Sequence, residues 1–393
     1  MPTPFETDLL SPDSFDAEAL AAGIIRWVEF ETPSDRPDLI DLLLDHVVES
    51  FAGLPISVER IAGKDGCGGQ LVLRYAPAGT SGAPALLMGH IDTVWDAGTL
   101  AARPVRREDD RIYGPGIFDM KAGSFLATEA LRRIAAAGIV PPRPITVYLN
   151  GDEEIGSITS RAKIEELAAS AAYVLVPEPS FEAPGTLITA RKGWGRFRLT
   201  ARGVSAHAGG NLFDGRSAIR EIARHIVEIE DLNETETAAT FNVGTVSGGT
   251  RANVVPDLAS IEVDMRANDM ATAERHTASM LGRKPKGKDI TLVIEGGLNR
   301  PPFQRSEAVV KLYEATRDLG RELGLELGET SRGGVSDGNF AAALGKPTLD
   351  GLGCNGAGAH ALHEHILFST IAPRAALFHA MLTSAAFNER ALG

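Results

Sequence analysis

Cysteine is nearly absent: the 393 residues hold two, Cys67 and Cys354, far apart and in no C-x-x-C arrangement. That excludes a disulfide framework and a thiolate zinc site, and it fits a reducing compartment. Basic residues are in the minority too, 39 Lys and Arg against 52 Asp and Glu, for a formal charge of −13. Nucleic acid and anionic membrane both demand a basic face, so neither is expected as a partner. No apolar run approaches the ~20 residues that cross a bilayer. The opening Met1-Pro2-Thr3-Pro4-Phe5-Glu6 lacks the basic and apolar regions of a secretory leader. The expected place of the chain is therefore the cytoplasm.

What is present is an ordinary soluble composition, 44% apolar and 23% charged, over a length that asks for two domains. Apolar spacing predicts helices over 16–29 and 37–51, strands over 56–61, 70–75 and 85–88, and a long helix over 119–137 closed by Gly138. A strand over 144–149, a helix over 157–170 and a short strand over 173–176 follow. Alternating strand and helix predict an α/β fold with a mostly parallel mixed sheet flanked by helices. Between Gly193 and Gly297 the order becomes β-α-β-β-α-β, complete in itself and ferredoxin-like. We read residues 193–299 as an inserted domain, with 1–192 and 300–393 forming the two parts of the catalytic domain.

Four times a short apolar strand runs through a turn into a His, Asp or Glu. Ala85-Leu86-Leu87-Met88-Gly89 delivers His90 and Asp92; the strand over 144–149 ends in Asp152-Glu153-Glu154; 173–176 leads to Glu178; and 347–349 leads through glycines to His360. Gly114-Pro115-Gly116 sets Asp119 at the start of a helical pattern. A dinucleotide loop is a poor reading there, because Asp119 stands where a third glycine should fall and would repel a pyrophosphate. Ligands of open α/β sheets bind outside the carboxyl ends of the strands, so these residues can converge. Carboxylates with two imidazoles suit zinc, or cobalt or manganese, and there are more of them than one tetrahedral ion uses. Two ions sharing a carboxylate would account for the excess. Glu154 can then hold metal while Glu153 acts as general base, and Asp92 can fix the tautomer of His90. The bland alternative for Glu153-Glu154 is a solvated loop.

The runs Met88-Gly89-His90-Ile91-Asp92-Thr93-Val94, Gly114-Pro115-Gly116-Ile117-Phe118-Asp119-Met120-Lys121, Asp152-Glu153-Glu154-Ile155-Gly156, Gly203-Val204-Ser205-Ala206-His207-Ala208-Gly209 and His360-Ala361-Leu362-His363-Glu364 resemble the co-catalytic zinc peptidase and deacylase family. That family includes glutamate carboxypeptidase, succinyl-diaminopimelate desuccinylase, acetylornithine deacetylase and aminoacylase. Within it, Asp92-Thr93-Val94-Trp95 and Tyr113-Gly114-Pro115-Gly116 resemble bacterial glutamate carboxypeptidases most. The resemblance implies two zinc ions, His90 and Glu178 on one, Glu154 and His360 on the other, Asp119 bridging, Glu153 as base and Asp92 as orienter. It implies that the inserted domain serves as lid and homodimer interface and that His207 stabilises an oxyanion, within its own subunit or across the dimer. Asn253 and Arg266, with Arg300 as a further candidate, would hold a substrate carboxylate. The His-x-x-x-Glu pattern selects His360 and leaves His363 and His365 as neighbours. Val335 stands where related carboxypeptidases often have a third glycine, a departure that bears on the side-chain preference of the pocket.

The function so implied is an amide hydrolase of carboxypeptidase type. Attack by a hydroxide held between two zinc ions would release glutamate or a similar residue from an N-acyl amino acid or short peptide. Deacylation of a small N-acylated metabolite is the alternative, and a metal-holding module without turnover is the reading from another class. Glu153 separates them, since a binding module needs no base beside its metal.

Overall fold

The computed structural model describes residues 10–181 and 185–392. The opening residues, on which the reading of a missing leader rests, lie outside the described part. The chain gathers into two compact units. Of the described residues, one comprises those up to Ala190 with Arg305–Ser331 and those from Ser336 on; the other comprises Arg191–Gln304 with Arg332–Val335.

The first unit is built on a six-stranded sheet. Its strands β1 (Ser57–Ile61), β2 (Gln70–Tyr75), β3 (Ala85–His90), β4 (Ile145–Asn150) and β5 (Tyr173–Leu175) are joined by a short strand, Thr348–Leu349, in the order β1-β2-β4-β3-β5-Thr348–Leu349. The β1–β2 and β2–β4 pairs are antiparallel. The β4–β3 and β3–β5 pairs and the pairing of β5 with Thr348–Leu349 are parallel.

Every residue of β3 and β4 is buried, as strands covered on both faces must be. Alternate residues go to opposite faces. Leu71, Leu73, Leu87 and Val147 pack with α1 (Ala17–Glu29), α2 (Pro37–Ser50), α3 (Ala122–Ala136) and the helix Ile371–Thr383. Val72, Leu86, Met88 and Tyr148 pack with Ile164 and Leu167 of α4 (Arg161–Ser170) and with Phe340. The start of α1 is set by Asp16, whose carboxylate accepts the N–H groups of Glu18 and Ala19, the usual work of an N-cap.

The second unit is the β-α-β-β-α-β insertion: β6 (Gly193–Arg202), α5 (Ala218–Glu230), β7 (Ala239–Gly248), β8 (Leu258–Ala267), α6 (Met270–Leu281) and β9 (Thr291–Arg300). Its antiparallel sheet has the order β7-β8-β6-β9. One face, with Phe197, Leu199, Ile261, Val263 and Met265, is buried against Ile222, Ile229, Ala273 and Met280. The other carries charged residues such as Arg196 and Glu262, which pair at 2.7 Å.

Several boundaries differ from the sequence reading. Regular helix begins at Ala122, because Ile117–Lys121 is a wider turn in which Asp119 and Met120 leave the helical region. The helix expected from residue 157 begins at Arg161. Before it, the Asp152 carboxylate accepts the N–H groups of Thr159 at 2.6 Å and Ser160 at 3.2 Å, which holds the chain in a turn. The last strand of the insertion runs on to Arg300. The sequence reading also missed a seven-stranded sheet of mostly short strands. In it His365–Leu367 pairs antiparallel with Arg111–Tyr113 and with Asn355–Ala357. These pairings bring the segment leading to Asp119 beside the loop carrying His360.

Candidate active site

Each candidate ligand follows a strand end or a held turn. β3 ends at His90, whose carbonyl accepts the Ser124 hydroxyl at 2.8 Å. β4 and β5, parallel to β3, run on into the segments of Glu153-Glu154 and Glu178. Close approach matters at Gly123, where a Cβ would meet the Pro177 carbonyl oxygen at 1.8 Å. A side chain there would push the helix that follows Asp119 away from the segment bearing Glu178.

The side chains meet around Asp119. Its Oδ1 is 3.2 Å from His90 Nε2 and its Oδ2 is 3.3 Å from His360 Nε2. His360 Nε2 is also 3.3 Å from Glu154 Oε2, and His90 Nε2 is 3.9 Å from Glu178 Oε1. One carboxylate therefore stands between two imidazoles, each with a further glutamate. On its other side, His90 Nδ1 faces the Asp92 carbonyl oxygen at 3.0 Å and Oδ1 at 3.3 Å. Asp92 does more than face the imidazole. It accepts the Ser34 hydroxyl at 2.7 Å and the N–H groups of Glu153 and Glu154 at 3.2 Å each, so one buried carboxylate sets both the ring and the turn of the paired glutamates.

Protonation follows from these contacts. Burial opposes charge on His90, yet its hydrogen bonds to Asp119 and Asp92 outweigh burial and raise it well above the ordinary imidazole value. His360 is raised to about 10 by hydrogen bonds to Asp119 and Glu154. Burial pushes the Glu154 carboxyl up. Asp119 is held below the usual carboxylate range, because the hydrogen bonds from His360 and His90 overcome its burial. Two imidazoles that gain protons among packed carboxylates mark a place that calls for positive charge.

A divalent cation fits that place. His90, Asp119 and Glu154 offer ligand atoms within 4.8 Å of one another. Oε1 of Glu154 is buried and finds no hydrogen-bond donor among the described residues. Ligand atoms about 2.0–2.1 Å from a tetrahedral zinc stand about 3.3 Å from one another, close to the separations around Asp119.

The other candidates lie in the second unit. His207 and Asn253 come together on neighbouring exposed loops: Ala208 N–H donates to the Asn253 carbonyl at 3.0 Å, and His207 Nδ1 accepts the N–H groups of Gly209 and Gly210. Arg266 and Arg300 flank Trp194 across the sheet. Arg266 is held bidentately by Asp264 at 2.8 and 2.9 Å. Arg300 is buried and donates to Asn299 Oδ1 at 3.1 Å.

Sequence reasoning quoted two residues within its motifs without giving either a role. Lys121, buried, donates its ammonium to the Phe30 carbonyl at 2.6 Å, and burial lowers it to about 7. Glu364, fully buried, accepts from four donors near Asp119. Burial pushes its carboxyl up to about 7, against the pull of the N–H groups of Gly116 and Asp119 and the Trp95 indole. Its spacing four residues after His360 was the available signal.

An α/β sheet with a histidine–carboxylate cluster at its strand ends and an inserted β-α-β-β-α-β unit defines the metal-dependent peptidase and deacylase class. Residues 86–384 match peptidase family M20/M25/M40, and the chain belongs to that family. It is 32% identical to carboxypeptidase G2 of Pseudomonas sp. (strain RS-16) over 287 residues, covering 72% of this chain and 69% of the relative. It is 28% identical to succinyl-diaminopimelate desuccinylase of Verminephrobacter eiseniae, over 72% of this chain and 74% of that one. A tripeptidase structure from Staphylococcus aureus shares the fold with a TM-score of 0.74 at 22% identity, covering 94% of this chain and 98% of the other. The chain is thus an M20 hydrolase, and its carboxylate–imidazole group can hold a metal.

Proposed function

We propose that the chain is a dinuclear zinc amide hydrolase of carboxypeptidase type, releasing glutamate or a similar C-terminal residue from an N-acyl amino acid or short peptide. The observation that carries this reading is Asp119, whose two oxygens face His90 and His360 from opposite sides. In the proposal His90 and Glu178 hold one ion, Glu154 and His360 the other, and Asp119 both; cobalt or manganese would serve the same ligands. Bound divalent ions supply a Lewis acid for the amide carbonyl and lower the pKa of water.

The remaining work falls to the protein. Glu153 takes the proton of the attacking water and returns it to the leaving nitrogen. Asp92 holds His90 in one tautomer through the contact at Nδ1. His207 donates to the oxyanion, from its own or a partner subunit of a homodimer. Asn253 and Arg266, with Arg300, bind the substrate's free carboxylate. Two free, buried cysteines support a cytoplasmic enzyme.

A second reading, deacylation of a small N-acylated metabolite, is supported by the desuccinylase and by a 29% identical acetylornithine deacetylase of Myxococcus xanthus, which covers 63% of this chain and 67% of that relative. It shares the mechanism and differs in the pocket. A panel of N-acyl amino acids and dipeptides assayed with zinc, cobalt and manganese separates the two. Metal-dependent release of C-terminal glutamate, lost on amidating its carboxylate, is expected. Turnover confined to N-acetyl or N-succinyl metabolites would favour the second reading, and no turnover with any metal would oppose both.

A further inference from the structure

Four donors from two separate segments converge on Glu364. Its Oε2 accepts the Trp95 indole N–H at 2.7 Å and the Gly116 N–H at 2.9 Å, and its Oε1 accepts the N–H groups of Phe118 and Asp119 at 3.0 and 3.1 Å. The side chain is fully buried. A carboxylate is the one side chain that offers acceptors at both ends and no donor. Three of the four donors belong to the irregular turn that presents Asp119, where backbone N–H groups lack regular helical partners. Trp95 follows His90 by five residues, and Glu364 follows His360 by four. Arg103 ties the same corner: its Nη2 donates to the Leu362 carbonyl at 2.6 Å, and its guanidinium stacks 4.4 Å from the Trp95 ring.

We propose that Glu364 is a positioning residue, a brace that fixes Asp119 and His360 relative to each other so that one carboxylate can serve two ions. This rests on the metal reading given above. Glu364 binds neither ion nor substrate; it acts through the backbone of Asp119 and through the loop it shares with His360. A merely space-filling role would tolerate glutamine, which has the same shape. The brace does not, because an amide nitrogen would face two N–H donors.

The test is calorimetric titration of the metal-free full-length protein with zinc at pH 8, comparing wild type with Glu364→Gln and Trp95→Phe, each checked by circular dichroism. Wild type is expected to take two equivalents. Glu364→Gln is expected to weaken at least one of them by about 10–100-fold, as loss of supporting contacts to ligands does. Trp95→Phe, which keeps the carboxylate and removes one donor, is expected to show a smaller loss of the same kind, and it carries the test if Glu364→Gln does not fold. In turnover, kcat should fall while KM stays within about twofold. A wild type that binds no zinc overturns the metal reading and the brace with it. A wild type that binds two equivalents beside folded variants of unchanged affinity overturns the brace alone.

Discussion

Asp92 in the first unit and the His207–Asn253 pair in the second are held in opposite ways. In the first, Asp92 is fully buried, with its oxygens taken up by Ser34, by His90 and by the N–H groups of Glu153 and Glu154. In the second, His207 and Asn253 are exposed on adjoining loops. A group that must stand at one distance from a cation has to be over-determined by its surroundings. A group that meets the variable part of a substrate can sit on a loop, where substitution costs little folding energy. On the proposed function, the buried wiring of the first unit sets the metal ligands and the base, while the exposed pair of the second meets the substrate.

The largest expected effect breaks the chemistry and leaves the scaffold. Glu153→Ala should lower kcat by about 10²–10⁴-fold with metal content unchanged, measured by turnover beside elemental analysis. Undiminished turnover would remove the proposed base. Next, His207→Ala should cost about 10²–10³-fold in kcat with zinc affinity intact. An unaltered rate would strip the inserted unit of any part in the chemistry. Asp92→Asn should cost about 10–100-fold in metal affinity or activity; equal affinity would mean that the buried wiring of the first unit is dispensable.

A separate effect concerns stability, at a residue outside the cluster. His379 is buried, and burial first, then Arg133, lowers it from 6.5 to about 4. Between those values the unfolded chain binds a proton that the folded chain refuses. Its contribution is therefore full above pH 6.5 and is lost as pH falls toward 4, by about 3 kcal/mol in all. Urea unfolding of wild type and His379→Gln across that range should show the slope in the first and its reduction in the second; parallel curves would contradict it.

How much was legible depends on length and burial. β3 and β4 read clearly because both faces are covered and the runs are uninterrupted, and each leads straight into acidic residues, Asp92 after β3 and Asp152-Glu153-Glu154 after β4. The insertion read clearly because ten-residue strands such as β6 and β8 alternate cleanly. The seven-stranded sheet did not, since pieces such as Ser180–Phe181 and Asn355–Ala357 are too short to show a period. The late start of the helix after Asp119 was hidden too: the cause is Glu364, some 245 residues away, and no local pattern reports a contact of that range.

The most direct test of the central claim is anomalous diffraction from crystals grown with zinc, recorded on both sides of the metal edge. The account predicts two peaks flanking the Asp119 carboxylate, one shared with His90 and Glu178 and the other with Glu154 and His360. No peak at Asp119, or peaks bound to other side chains, would contradict it.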